Sequence, residues 1–99
     1  MLKKIDNERI NTWATRNLDG IEAEKNGDVE AAVKLYESNV AEQADTPHSY
    51  KRLAIIYRKQ KRYDDEISVL KKAISVFSRT RTDTSQFKER LEKAKQIRR

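Results

Sequence analysis

The stretch Tyr57–Ile67, YRKQKRYDDEI, decides the fold, because it lies 34 residues after Ala23–Val33, AEKNGDVEAAV, and largely repeats its pattern of polar and apolar positions. In this alignment Lys61 takes the place of Gly27. Repetition at this distance is typical of helix-turn-helix units stacked side by side. The basic run from 58 to 62 therefore falls where the first copy has its turn between two helices.

Composition favours amphipathic helices in one domain that covers residues 1–99. Apolar residues make up 36% and charged residues 38% of the chain, with two glycines and one proline. The absence of cysteine excludes a disulfide framework and a thiolate metal site. No apolar run is long enough to span a membrane, and the first ten residues lack the apolar core of a secretory signal. We therefore expect a cytoplasmic protein that makes no membrane contact.

Apolar residues recur with the period of an α-helix along almost the whole chain, and no stretch alternates with period two for long enough to predict a strand. Ile10, Ala14, Leu18 and Ile21, for example, share one helix face. The fold class predicted is all-α. The expected helices lie near residues 7–26, 29–43, 47–60, 63–78 and 84–97.

Residues at the predicted boundaries agree with these helices. Gly27 is suited to end the first helix in a left-handed conformation, and Asp28 to cap the second. Thr46 is expected to cap the third helix, with Pro47 at its first position. Asp83–Gln86 resembles a capping box for the last helix.

Small and aromatic residues occupy matching positions in the two copies. The second copy carries Tyr50, Leu53, Ala54, Tyr57, Leu70 and Ala73, and the first carries Gly20, Gly27, Ala32 and Tyr36. This pattern resembles the tetratricopeptide repeat family. The resemblance implies two repeats, at about 13–46 and 47–80, and a capping helix at about 84–97. It also implies antiparallel helical hairpins stacked as a short right-handed superhelix.

Three residues depart from the family's pattern. Arg16 and Asp19 stand where the family prefers large apolar residues, and Glu66 stands where it prefers alanine. From these departures we expect a weakened interior in the first repeat and a looser helix contact near Glu66.

The sequence offers little for catalysis, and we expect neither an enzyme nor a bound metal or cofactor. His48 is the only histidine, and its place after Pro47 is typical of a partly exposed residue at a helix start. Asp64, Asp65 and Glu66 are explained by the favourable interaction of acids with a helix N-terminus. No glycine-rich nucleotide-binding loop is present.

Charge is unevenly distributed along the chain. Residues 1–50 hold six Lys and Arg against ten Asp and Glu, whereas residues 51–99 hold sixteen against six. The basic residues expected at helix corners, where they could contact anions or nucleic acid, are Lys59, Lys61, Arg62, Arg79 and Arg81. Three interpretations remain open for them: a solvated surface, an acidic protein partner, or nucleic acid bound through phosphates.

The resemblance also implies a concave groove lined by the first helix of each hairpin. The residues on that face are Asn17, Ile21, Glu24, Lys51, Ile55 and Arg58, with His48 at the lip. An apolar strip flanked by positive charge suits a peptide with an apolar anchor and acidic residues. Alternatively, Leu2 and Ile5 of the N-terminal segment, or a second copy of the chain, cover the groove. The family's clamp for C-terminal carboxylates is not expected, because isoleucines occupy part of its pattern.

We therefore expect an adaptor or scaffold that binds a protein or peptide, acidic in character, in this groove. Two alternatives are kept: a small basic protein associated with nucleic acid, and a regulatory subunit that homodimerises through the groove. The second follows from the general rule that about three repeats are needed for a stable array.

Overall fold

In the computed structural model, residues 7–98 are described, and within this range they form five α-helices and no strand. The helices are α1 (Asn7–Lys25), α2 (Val29–Ala41), α3 (His48–Lys59), α4 (Tyr63–Ser78) and α5 (Ser85–Arg98). The predicted all-α class is confirmed, and every boundary agrees within two residues. Leu2 and Ile5 lie outside the described residues.

Each helix packs against the next one in the chain, from α1 on α2 to α4 on α5. The described part measures 50 × 33 × 17 Å and has a radius of gyration of 14.0 Å. A globular domain of this length is expected to have a radius of gyration of about 13 Å. The chain is therefore a slightly elongated stack of hairpins around one core.

The turns inside the two hairpins have the same backbone conformation. Gly27 has φ +80° and Lys61, 34 residues later, has φ +60°. The next residues match as well: Asp28 has φ −93° and ψ 72°, and Arg62 has φ −92° and ψ 68°. In both turns the backbone N–H of this residue donates a 2.8 Å hydrogen bond to the carbonyl five residues earlier. The repeat seen in the sequence is therefore a repeat of structure.

Close packing between the two helices of the first hairpin depends on a missing side chain. Gly20 of α1 is buried, and a Cβ atom there would lie 2.6 Å from Cζ of Tyr36, which is fully buried on α2. The equivalent residues of the second hairpin, Ala54 and Leu70, are also buried completely. One hairpin thus combines the smallest residue with a tyrosine, and the other combines an alanine with a leucine.

Buried aromatic rings connect the second hairpin to the closing helix. The Phe77 ring meets Tyr50 edge-on with the ring centroids 5.2 Å apart, and it stacks on Phe87 of α5 at 6.0 Å. Such aromatic pairs stabilise a core beyond the area that they bury. Because α4 continues to Ser78, α5 starts 37 residues after α3, so the 34-residue register ends before the closing helix.

Helix caps agree with the sequence in one case and differ in two. The Asp28 carboxylate accepts a 3.1 Å hydrogen bond from the backbone N–H of Ala31, as predicted. The predicted Thr46 cap is wrong: α3 starts one residue later than expected, and Pro47 takes the cap position. The predicted capping box is also wrong, since the Asp83 carboxylate accepts from the backbone N–H and hydroxyl of Ser85.

The repeated turn predicts that Lys61→Gly stabilises the protein by about 1 kcal/mol, because a side chain in the left-handed region costs about that much and glycine avoids it. The free energy of unfolding from urea denaturation measures the effect. Gln60→Gly is the matched control, since Gln60 has φ −85° and its substitution should destabilise. Equal effects of the two substitutions would contradict the role assigned to residue 61.

Candidate functional site

Two clefts lie next to each other at the N-terminal end of α3. The first, the α1–α3 cleft, has a volume of about 370 Å³ and is lined by α1 residues, by Pro47 and by Lys51. The second, the α3–α5 cleft, has a volume of about 300 Å³ and shares Pro47 and Lys51 with the first. The first turn of α3 therefore separates two open sites, and Lys51 contributes an exposed ammonium to both.

The groove residues predicted from the sequence lie along this surface, and several of them also have structural roles. Asn17, His48 and Lys51 line the α1–α3 cleft. Ile21 and Ile55 each lie one helical turn beyond a cleft-lining residue, Asn17 or Lys51, and so share its helix face. Both isoleucines are half-buried. Equivalent residues thus have equivalent exposure in the two hairpins.

Asn17 belongs to a polar cluster that joins the two hairpins. Its Oδ1 atom accepts hydrogen bonds from Asn39 Nδ2 at 3.1 Å and from the Ser49 hydroxyl at 2.6 Å. Its Nδ2 atom donates to the hydroxyl of Thr46 at 3.3 Å. The polar atoms of Asn17 are therefore already satisfied, and this residue positions α1 against α3.

Asn39 is the centre of this cluster and is fully buried on α2. Its Nδ2 atom also lies 3.0 Å from the backbone carbonyl of Trp13 and 3.0 Å from Ser49 Oγ. Its Oδ1 atom accepts from Arg16, which pairs with Glu42 at 3.0 Å. The polar Arg16 is thus accommodated by polar partners. Sequence reasoning missed Asn39; the available signal was its alignment with Ala73, which makes it a polar residue at an interior position.

Glu24 is held in an ion pair between the hairpins. Both of its carboxylate oxygens contact the Arg52 guanidinium, at 2.5 and 3.1 Å, and Tyr36 donates its hydroxyl to Oε2 at 2.8 Å. The hydrogen bond from Arg52, with that from Tyr36, lowers the pKa of Glu24 against the opposing effect of burial. Glu24 therefore contributes to stacking, and its carboxylate is not free to meet a partner.

Arg58 is likewise engaged, by the unexpected acid on α4. Glu66 is fully buried, and its Oε2 atom lies 2.7 Å from one terminal nitrogen of Arg58 and 2.8 Å from Nε. The same guanidinium donates to the backbone carbonyl of Arg90 at 3.2 Å. The departure at Glu66 is therefore a buried ion pair that connects α3, α4 and α5.

His48 lies between the clefts and the core. Its ring meets Tyr36 edge-on at 5.5 Å between centroids, and its Nε2 atom is buried without a hydrogen-bond partner among the described residues. Burial, followed by the positive charge of Arg52, lowers the pKa of His48. The imidazole is consequently neutral at neutral pH and adds an apolar edge to the α1–α3 cleft.

The basic residues at the helix corners are exposed, but they do not form one free patch. Arg62 pairs with Asp65 at 2.9 Å, and its guanidinium covers the ring of Tyr57 at 4.5 Å. Arg79 donates to the hydroxyl of Ser75 at 3.3 Å. Three further exposed residues, Lys59, Lys61 and Arg81, have no ion pair among the described residues.

Further comparisons add no ligand and no relative. Within residues 7–98 no three His, Asp or Glu side chains converge as a metal site would require, and none of the helices there is long and apolar enough to cross a membrane. Comparison with protein families, curated proteins and solved structures found no match for this chain. The functional argument therefore rests on the clefts and on the repeated hairpins.

The buried polar cluster predicts that Asn39→Ala lowers the free energy of unfolding by about 2 kcal/mol, because Asn17 and Ser49 lose a buried partner. Urea denaturation measures the loss. Asn11→Ala, on the exposed face of α1, is the matched control and should stay within about 0.5 kcal/mol of wild type. A similar loss in both variants would refute the role of the cluster.

The lowered pKa of Glu24 predicts an acid-sensitive contribution to stability. The contribution is present above the ordinary glutamate pKa of about 4.3 and is lost as the pH falls through the folded-state value. Glu24→Gln should therefore reduce stability at pH 7 and flatten its decline between about pH 5 and 3. Denaturation at several pH values tests this, with the exposed Glu22→Gln as control. A decline as steep as that of wild type would contradict it.

Proposed function

We propose that the chain is a member of the tetratricopeptide repeat family and acts as a protein–protein interaction module without catalytic activity. The observation that carries the proposal is the matched backbone geometry of the two hairpin turns, 34 residues apart. Burial of small residues at equivalent positions, Gly20 and Ala54, supports it further. In this proposal the chain serves as an adaptor or scaffold.

The proposed binding surface consists of the two clefts and the isoleucines that continue from them. Ile21 and Ile55 provide half-buried apolar surface at equivalent places, and Lys51 provides a charge between the clefts. Peptides bound in grooves are held by apolar anchors at fixed spacing and by charges that fix their orientation. The partner that suits this surface is a protein segment with apolar anchors and acidic residues.

Contacts made by the basic run favour a protein partner over nucleic acid. Arg58 is paired with Glu66, and Arg62 is paired with Asp65. Ion pairs of this kind reduce the number of charges that could release counterions from phosphates, and that number sets nucleic-acid affinity. The basic half is therefore better explained by pairing within the fold and by a few free charges near the clefts.

The proposal predicts that Ile55→Asp weakens partner binding at least tenfold, equal to about 1.4 kcal/mol, because a carboxylate replaces an apolar anchor. Partners recovered by quantitative affinity purification are purified, and their dissociation constants for each variant are measured by calorimetry. Ile97→Asp is the matched control, since Ile97 is an exposed isoleucine at the far end of α5.

A second variant protects this test against loss of folding. Lys51→Glu changes an exposed side chain, so it should keep the circular dichroism spectrum of wild type while also weakening binding. Unchanged affinity in both Ile55→Asp and Lys51→Glu would overturn binding at this surface. Loss of affinity in Ile97→Asp to the same extent would do so too.

A further inference from the structure

We propose that the α3–α5 cleft binds the carboxylate of an acidic side chain of the protein partner, held by Arg90 with Lys51. This inference rests on the proposed function and adds to it a specific subsite and a residue that sequence reasoning did not single out. Three observations carry it: an arginine without a partner, an excess of positive charge around it, and the shape of the cleft.

Arg90 is a half-buried residue of α5 that lacks a counterion. No hydrogen bond or ion pair joins its side chain to any described residue, and its Nε atom is buried and unsatisfied. Burial and the nearby charge of Arg58 lower the pKa of Arg90, and Glu66 partly opposes them. An arginine normally directs its fork of donors to a carboxylate or phosphate when it is removed from water. The free state therefore leaves this side chain prepared for an acceptor.

The charges next to Arg90 do not neutralise it. Glu66 is a single carboxylate close to two guanidinium groups, and its Oε2 atom is committed to Arg58. Its Oε1 atom is buried without a partner. Even if Oε1 turned to Arg90, one negative charge would face two positive ones. The cluster of Arg58, Glu66 and Arg90 therefore carries an excess positive charge.

The cleft exposes this excess charge to a ligand and limits its size. Its lining consists of Pro47 and Phe87 as apolar walls, Lys51 and Arg90 as cations, Asp83 as an anion, and the polar Thr82 and Gln86. The Asp83 carboxylate already accepts two hydrogen bonds from Ser85. Two cations against one occupied carboxylate leave the cleft positive, and the apolar walls strengthen an ion pair by excluding water.

A volume of about 300 Å³ suits one side chain of a partner, and excludes a folded segment. The polar parts of the other predicted groove residues are already used: Asn17 within its cluster, Glu24 by Arg52, and Arg58 by Glu66. Arg90 and Lys51 are thus the cations left to orient an acidic partner along this surface. A glutamate or aspartate beside the apolar anchor would satisfy both requirements.

Disulfide tethering tests the subsite without knowledge of the partner, because the chain contains no cysteine of its own. A single cysteine is placed at the cleft with Gln86→Cys, or outside it on the same helix with Gln96→Cys. Each protein is equilibrated with equal concentrations of 3-mercaptopropionate and its neutral isostere 3-mercaptopropanamide. Mass spectrometry then gives the ratio of the two mixed disulfides.

The expected result is a ratio of carboxylate to amide adduct about fivefold higher at Gln86→Cys than at Gln96→Cys, in the range of a partly exposed ion pair. Dividing one ratio by the other cancels the intrinsic chemistry of the two thiols. Adding Arg90→Gln to Gln86→Cys should bring the ratio down to the Gln96→Cys value. Adding Lys93→Gln, which removes the same charge from an exposed position of α5, should leave it high.

Equal ratios at the two cysteine positions would overturn the subsite, since they would mean that only the general positive charge of the basic half acts. A ratio that falls equally with Arg90→Gln and Lys93→Gln would overturn it for the same reason. Neither outcome affects the partner-binding test with Ile55→Asp and Lys51→Glu. Failure of the subsite and failure of the proposed function can therefore be told apart.

Discussion

Close approach of helices at small buried residues is the constraint on which the structure depends. The ring of Tyr36 occupies the space where a side chain at position 20 would lie, so α1 and α2 can pack only with glycine there. In the second hairpin Ala54 and Leu70 share the same kind of space between them. Because each hairpin has the same internal spacing and the same turn, the second can stack on the first with equivalent faces aligned.

Polar contacts then fix the alignment of one hairpin on the other. Glu24 of the first hairpin and Arg52 of the second form a bidentate pair, and the Asn39 amide bridges α1, α2 and α3. Buried polar groups cost stability unless every partner is in place, so they disfavour any register in which these partners separate. They also consume side chains that a surface view of the sequence would assign to binding.

The closing helix changes the character of the array. α4 extends beyond the repeat, and α5 presents Arg90 to the side of α3 while Phe87 stacks on Phe77. The buried Glu66 lies beneath, with more positive than negative charge around it. The point at which the repeat ends is therefore the point at which the surface gains a feature that no earlier hairpin has.

By itself the sequence determined the five helices, their bounds and the 34-residue relation between the hairpins, because helical periodicity and turn residues such as Gly27 are local signals. Only the tertiary structure decided which polar residues remain free. Asn17, Glu24 and Arg58 point to a groove in the sequence, yet their partners lie 22 to 32, 12 to 28 and 8 to 32 residues away in the chain. Burial and pairing over such distances depend on how helices stack, and that information is absent from any local pattern.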